Sequence, residues 1–154
     1  MQGTPWWVQG TPCPCYNRGT MARIDERFHP MLGHFFTAQE VERCRLHFRG
    51  LLVNLISLPG LRRRAAAITF GRRVFLRPDH FESLNFPRQV GLLAHELTHV
   101  RQYRRFGLVP YFALYLLVYP LFFWRVSQHP LEQPAYQRGR EMEALAQESS
   151  PSPS

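Results

Sequence analysis

The chain has 154 residues and a formal charge of +8, and every one of its 19 basic residues is arginine. Without lysine it cannot use a lysine nucleophile or Schiff base, and 45% hydrophobic with 14% aromatic residues exclude a chain disordered throughout. The length supports a single domain with a real core.

The arginine clusters, Arg62 to Arg64, Arg72-Arg73 and Arg104-Arg105, are short and scattered with no nucleic-acid module around them, so no specific nucleic-acid partner is expected. Three cysteines make no disulfide framework, which points to a reducing compartment and a cytoplasmic location.

Residues 1–20, rich in Pro and Gly, read as a disordered N-terminal segment. The segment lacks the unbroken apolar stretch of a secretory signal, and Met21 is a candidate natural start. A domain over 21–147 is expected next, then a disordered Ser/Pro tail over 148–154.

Thr37-Ala38-Gln39-Glu40 is a capping box. The apolar residues Val41, Cys44, Phe48, Leu51, Leu52 and Leu55 behind it predict a packing helix ending at Pro59-Gly60, with His47 on its surface. Ile68 and Phe70, then Val74 and Leu76, flank Gly71-Arg72-Arg73 and predict two short strands around a tight turn. "RPDHFESLNFP" reads as a loop, after which Pro87 suits the first turn of a helix and Gly107 its end.

Within that helix Val90, Leu93, Ala94, Leu97 and Val100 form an apolar stripe, while His95, His99 and Tyr103 lie one turn apart on another face. The histidines belong to His95-Glu96-Leu97-Thr98-His99. Random order of this composition would give about 0.02 such matches. Two histidines at i and i+4, on a helix whose core face lies elsewhere, predict a zinc site.

A catalytic zinc takes three protein ligands and leaves one position for water. Glu132, 33 residues past His99 at the start of another predicted helix, is the preferred third ligand and His129 the alternative; Glu141 and Glu143 read as a solvated helix face. Between them Leu108 to Trp124 carries no charge, a length at the lower edge of a membrane span. A crossing would separate Glu132 from His99 by roughly 30 Å. The expectation is therefore a buried helix beside the metal helix, kinked at Pro120, with peripheral membrane contact through 108–124 as the alternative.

"TFGRRVFLRPDHF", "LLAHELTHVRQYRRFG" and "HPLEQPAY" together resemble the small bacterial zinc metallopeptidases with a His-Glu-Leu-Thr-His helix, a largely uncharacterised group of which some accompany extracellular contractile injection systems. The resemblance runs over about Ala65 to Ala146 and is closest in the metal helix. It implies a minimal gluzincin: an α+β, mainly helical zincin-like domain with a small hairpin or edge strand beside the metal helix. It further implies that His95, His99 and Glu132 bind Zn²⁺, that Glu96 is the general base, and that the strand near Val74 to Leu76 borders the cleft. The implied activity is hydrolysis of a peptide or protein substrate by a zinc-bound water that Glu96 activates. Tyr136, His129 and Tyr103 are candidates for the second oxyanion donor, and association with a secretion or injection system follows from the same likeness. One departure is Pro134, which would interrupt a helix begun at Pro130 and moves its start nearer Pro134. Two other readings of the residues stand beside this one. The first is a catalytically inactive zinc-binding domain with His129 as a fourth ligand. The second is a membrane-surface or anionic-partner binding module.

Overall fold

The computed structural model describes residues 21–48, 66–122 and 126–149. The predicted N-terminal segment with Cys13 and Cys15, and the predicted helical run from Leu51 to Gly60, lie outside the described residues. Among them the class is α+β, with a small sheet and several helices sharing one core. In chain order the elements are β1 (Met21–Ala22), a 3₁₀ turn (Glu26–Phe28), α1 (His29–Leu32), α2 (Ala38–Arg43) and β2 (Arg45–Phe48). Then come β3 (Ala67–Phe70), β4 (Arg73–Leu76), α3 (Pro78–Ser83), α4 (Phe86–Phe106), α5 (Leu108–Phe122) and α6 (Gln133–Glu148). The strand order is β1-β2-β4-β3, with β2 parallel to β4 and the other two pairs antiparallel.

The capping box forms as read: Glu40 N–H donates to the Thr37 hydroxyl at 3.3 Å, and Thr37 N–H donates to the Glu40 carboxylate at 2.9 Å. The helix behind it is shorter than its apolar spacing predicts. Cys44 is already extended, at φ −68° and ψ 140°, and β2 follows. The reason lies in the same residues, because Cys44, Leu46 and Phe48 also recur every second position. In a strand paired on both sides they become buried, Leu46 opposite Val74 and Phe48 opposite Leu76. His47 takes the other face of the sheet, half-buried and stacked on its cross-strand partner Phe75 at 4.9 Å. Cys44 is fully buried, which pushes its thiol up to about 12.

The hairpin of β3 and β4 turns on Gly71, whose φ of +62° is the left-handed conformation such turns demand at that position. The stretch read as a loop contains α3, opened by Pro78 in its first turn. Its Phe81 is buried, with its ring 6.3 Å from Phe28 and 6.1 Å from Phe48.

Helix α4 starts where its punctuation says. The Asn85 side chain accepts from Arg88 N–H at 3.1 Å, and the helix ends at Gly107 with φ +82°. Its stripe of Val90, Leu93, Ala94 and Leu97 is buried, with Val100 half-buried. Against it packs α6, which begins at Gln133 with Pro134 in its first turn, so the proline initiates this helix. The two backbones come close where glycine faces glycine. A Cβ on Gly91 would sit 2.9 Å from the Gly139 carbonyl oxygen, and one on Gly139 would sit 3.0 Å from that of Gly91.

Helix α5 departs from expectation. It was expected to be buried, yet Tyr111 is its one fully buried residue among those described. Tyr111, Phe112 and Tyr115 form a second small cluster with Tyr103 and Leu131. The opposite side is open to solvent. A helix that is apolar all round has no stripe to say which face is inward. No helix of the described residues is long and apolar enough to cross a membrane.

Candidate metal centre

Helical spacing stacks His95 and His99 on one side of α4, and the α4–α6 packing brings the start of α6 against them. Glu132 sits there as the N-cap residue of α6. Its segment is a tight turn in which Glu132 N–H and Gln133 N–H both donate to the His129 carbonyl, at 2.8 and 3.0 Å. Three ligand atoms converge as a result. His95 Nε2 and His99 Nε2 are 3.1 Å apart, and Glu132 Oε2 is 3.6 Å from the first and 3.4 Å from the second. Four ligands around zinc at about 2.0–2.1 Å lie about 3.3 Å from one another by tetrahedral geometry. The triangle therefore has the size and donor chemistry of three corners of a zinc site, and it can hold a metal ion.

Electrostatics agree with the geometry. Burial works against charge on His99, but the Glu132 hydrogen bond, the charges of Glu132 and Glu96 and the Gln102 hydrogen bond outweigh it and raise His99 to about 9. Burial and the neighbouring His99 lower His95 against the pull of both glutamates. Glu132 is lowered in turn: burial opposes this, and the hydrogen bond and charge of His99 prevail. One buried carboxylate thus supplies negative potential to two imidazole nitrogens, which also suits a divalent cation.

The supporting contacts are specific. His99 Nδ1–H faces Gln102 Oε1 at 2.9 Å, with the Tyr111 hydroxyl 3.1 Å away. The Gln102 amide then donates to the Leu131 carbonyl at 2.7 Å, which ties His99 to the residue before Glu132. A carboxamide oxygen can only accept, so Nδ1 carries the hydrogen and Nε2 is the nitrogen directed at the cluster.

Glu96 is buried and lies beside the group without belonging to it. Its Oε2 accepts from the Thr69 hydroxyl at 2.5 Å, and its charge is felt at both imidazoles. Thr69 belongs to β3. The strand expected at the cleft, Val74 to Leu76, is β4 and is paired on both sides; the sheet edge near α4 is β3. Hydrogen-bond topology, which short strands do not reveal individually, decides that.

The candidate oxyanion donors separate. Tyr136 is 40% exposed, and its ring lies edge-on to His95 at 4.7 Å. Tyr103 donates its hydroxyl to the Thr69 carbonyl at 3.2 Å and packs on Tyr111. His129 is wholly buried: Nε2 donates to the Tyr115 carbonyl at 3.3 Å, and Leu131 N–H donates to Nδ1 at 3.2 Å. Both its nitrogens face backbone, so the structure brings it to the turn that holds Glu132 and not into the ligand group. Glu141 and Glu143 are half-buried and meet Arg138 at 2.9 Å and Arg88 at 3.6 Å.

Three participants escape the sequence reading. Gln102 stands at i+3 from His99, a spacing that could have marked it. Thr69 and Tyr111 reach the site only through tertiary packing.

No curated protein and no solved structure matches this chain. Residues 61–107 match the family model of the eCIS core domain, eCIS denoting an extracellular contractile injection system, so the stretch from β3 through the whole His95–His99 helix is similar to that domain.

Proposed function

We propose that this chain is a zinc-dependent metallopeptidase. The observation that carries the reading is the 3.1, 3.4 and 3.6 Å triangle of His95, His99 and Glu132 atoms, with a buried glutamate held next to it by Thr69. Zinc bound there would act as a Lewis acid on a substrate carbonyl and bring the pKa of a coordinated water to about 7. Glu96 then takes a proton from the attacking water and delivers it to the leaving amine. Its hydrogen bond from Thr69 fixes the carboxylate while leaving acceptor capacity on the other oxygen. Tyr136, whose ring lies edge-on to His95, is the residue this reading assigns as donor to the developing oxyanion. Strand β3 ends the strand order among the described residues, and pairing of an extended peptide along it is the substrate geometry this reading favours. The likeness of residues 61–107 to the eCIS core domain supports a setting in an injection system.

The test is hydrolysis of an unstructured protein by the full chain, with zinc measured by elemental analysis, for the native sequence, Glu96→Gln and His99→Ala. The reading expects about one zinc per chain, loss of both zinc and activity in His99→Ala, and loss of activity alone in Glu96→Gln. Zinc without hydrolysis in the native chain would assign it to the inactive zinc-binding class.

A further inference from the structure

The solvent face of α5 has no place in the metal chemistry. Val109, Leu116, Leu117 and Leu121 are 76%, 66%, 76% and 79% exposed, and Pro110, Ala113 and Pro120 complete the same arc. No side chain on it can make a hydrogen bond. The helix is amphipathic the wrong way round for water: the packed face carries the Tyr111 and Tyr115 hydroxyls and the outer face is aliphatic. Monomers rarely leave a contiguous patch of this kind in water.

Charge decides what covers it. From Leu97 to Leu131 the chain holds no Asp or Glu, and the arginines immediately before α5, Arg104 and Arg105, are exposed. A second copy of this chain meeting α5 face to face would bring cations to the contact with no carboxylate from that stretch to answer them. An anionic bilayer surface supplies both partners, acyl chains for the arc and phosphate or carboxylate head groups for the arginines. The length suits lying in the interface. Fifteen helical residues measure about 22 Å, against about 30 Å of bilayer hydrocarbon.

We infer that α5 is a peripheral membrane-docking helix, which seats the aliphatic arc of Val109, Leu116, Leu117 and Leu121 in the surface of an anionic phospholipid bilayer with Arg104 and Arg105 at the head groups. This stands apart from the zinc reading, because none of these residues touches His95, His99 or Glu132.

The full chain is to be co-sedimented with phosphatidylcholine vesicles, with and without phosphatidylserine, at low and high salt. Binding is expected with phosphatidylserine and should weaken as salt rises. Leu116→Glu/Leu117→Glu should abolish it. Arg104→Gln and Arg105→Gln should each weaken it roughly fivefold. Because these side chains face solvent, zinc content and circular dichroism should match the native chain. If the first pair disturbs folding, Val109→Asp/Leu121→Asp tests the same arc independently. Absence of vesicle binding, or binding indifferent to both pairs, overturns the proposal. A concentration-dependent dimer that Leu116→Glu/Leu117→Glu dissolves, with no vesicle binding, overturns it in favour of a second copy.

Discussion

Glu96 and Glu132 are both buried or nearly so and lie close to the same imidazoles, yet their contacts differ in kind. Glu132 completes a triangle of close contacts with the His95 and His99 imidazoles, whereas Glu96 is held by a hydroxyl from another element. Neutralising each should therefore give opposite phenotypes. Glu96→Gln should lower hydrolysis by about 10²- to 10⁴-fold while zinc content stays the same. Glu132→Gln should lower zinc affinity first, seen in competition with a chelator, because a neutral oxygen replaces a charged one. Equal zinc loss in both would give Glu96 the wrong role. Gln102 should report on orientation: Gln102→Leu removes the acceptor from His99 Nδ1 and the donor to the Leu131 carbonyl. A loss of about 10- to 100-fold in zinc affinity is expected, with the fold retained by circular dichroism.

Two contacts between elements govern how α4 meets its neighbours. The first is the glycine crossing with α6. In Gly91→Ala the new methyl would meet the Gly139 carbonyl oxygen at 2.9 Å, a backbone atom that cannot rotate away. Overpacking of this kind costs about 1–3 kcal/mol, more than the gain of up to about 1 kcal/mol from replacing a helical glycine. Lower thermal stability and weaker zinc binding should appear together, since parting the helices moves Glu132 from the histidines. An unchanged zinc affinity would mean that the crossing does not position the centre. The second contact is Arg101 of α4, which donates to Glu40 at 2.7 and 2.9 Å and to the Phe35 carbonyl at 2.9 Å. The Arg101 hydrogen bond and charge, helped by Thr37 and opposed by partial burial, hold Glu40 at about 2 in place of 4.5. Because the folded value is depressed, the pair stabilises fully above the ordinary carboxylate range and is lost as pH falls from 4.5 towards 2. Arg101→Gln should cost no more than about 1 kcal/mol at neutral pH, as the pair is partly exposed. It should also flatten the acid limb of stability in that window, which urea unfolding at pH 7 and pH 3 would measure.

At the scale of the whole molecule, the candidate metal centre joins segments far apart in the chain, α4 and the start of α6, and a ligand that binds the folded state alone would stabilise all of it. Zinc at about a hundredfold over its dissociation constant should add about 2.7 kcal/mol, provided the unfolded chain does not compete. The melting temperature should rise with zinc, fall with chelator, and cease to respond in His99→Ala. A melting temperature indifferent to zinc in the native chain would count against the centre.

What the sequence determined by itself was local. The capping box at Thr37, the Gly71 turn, the start and stop of α4 and the pairing of His95 with His99 each depend on residues within a few positions, where backbone geometry leaves few alternatives. Glu132 was legible as a candidate ligand only through an assumed helical return, and Pro134 marked where that helix starts. Tertiary structure decided the rest. Residues 44–48 fit a helix and a strand equally by spacing, and the choice was made by β1 and β4, which supply hydrogen bonds on both sides. The edge at β3, the hydroxyl of Thr69 on Glu96 and the contact of Tyr111 with His99 come from pairings 12 to 27 residues apart or from sheet order. The open face of α5 has the same origin. Uniform apolarity states that a helix avoids water, but only the packing of Tyr111, Phe112 and Tyr115 against Tyr103 and Leu131 determines which side remains in it.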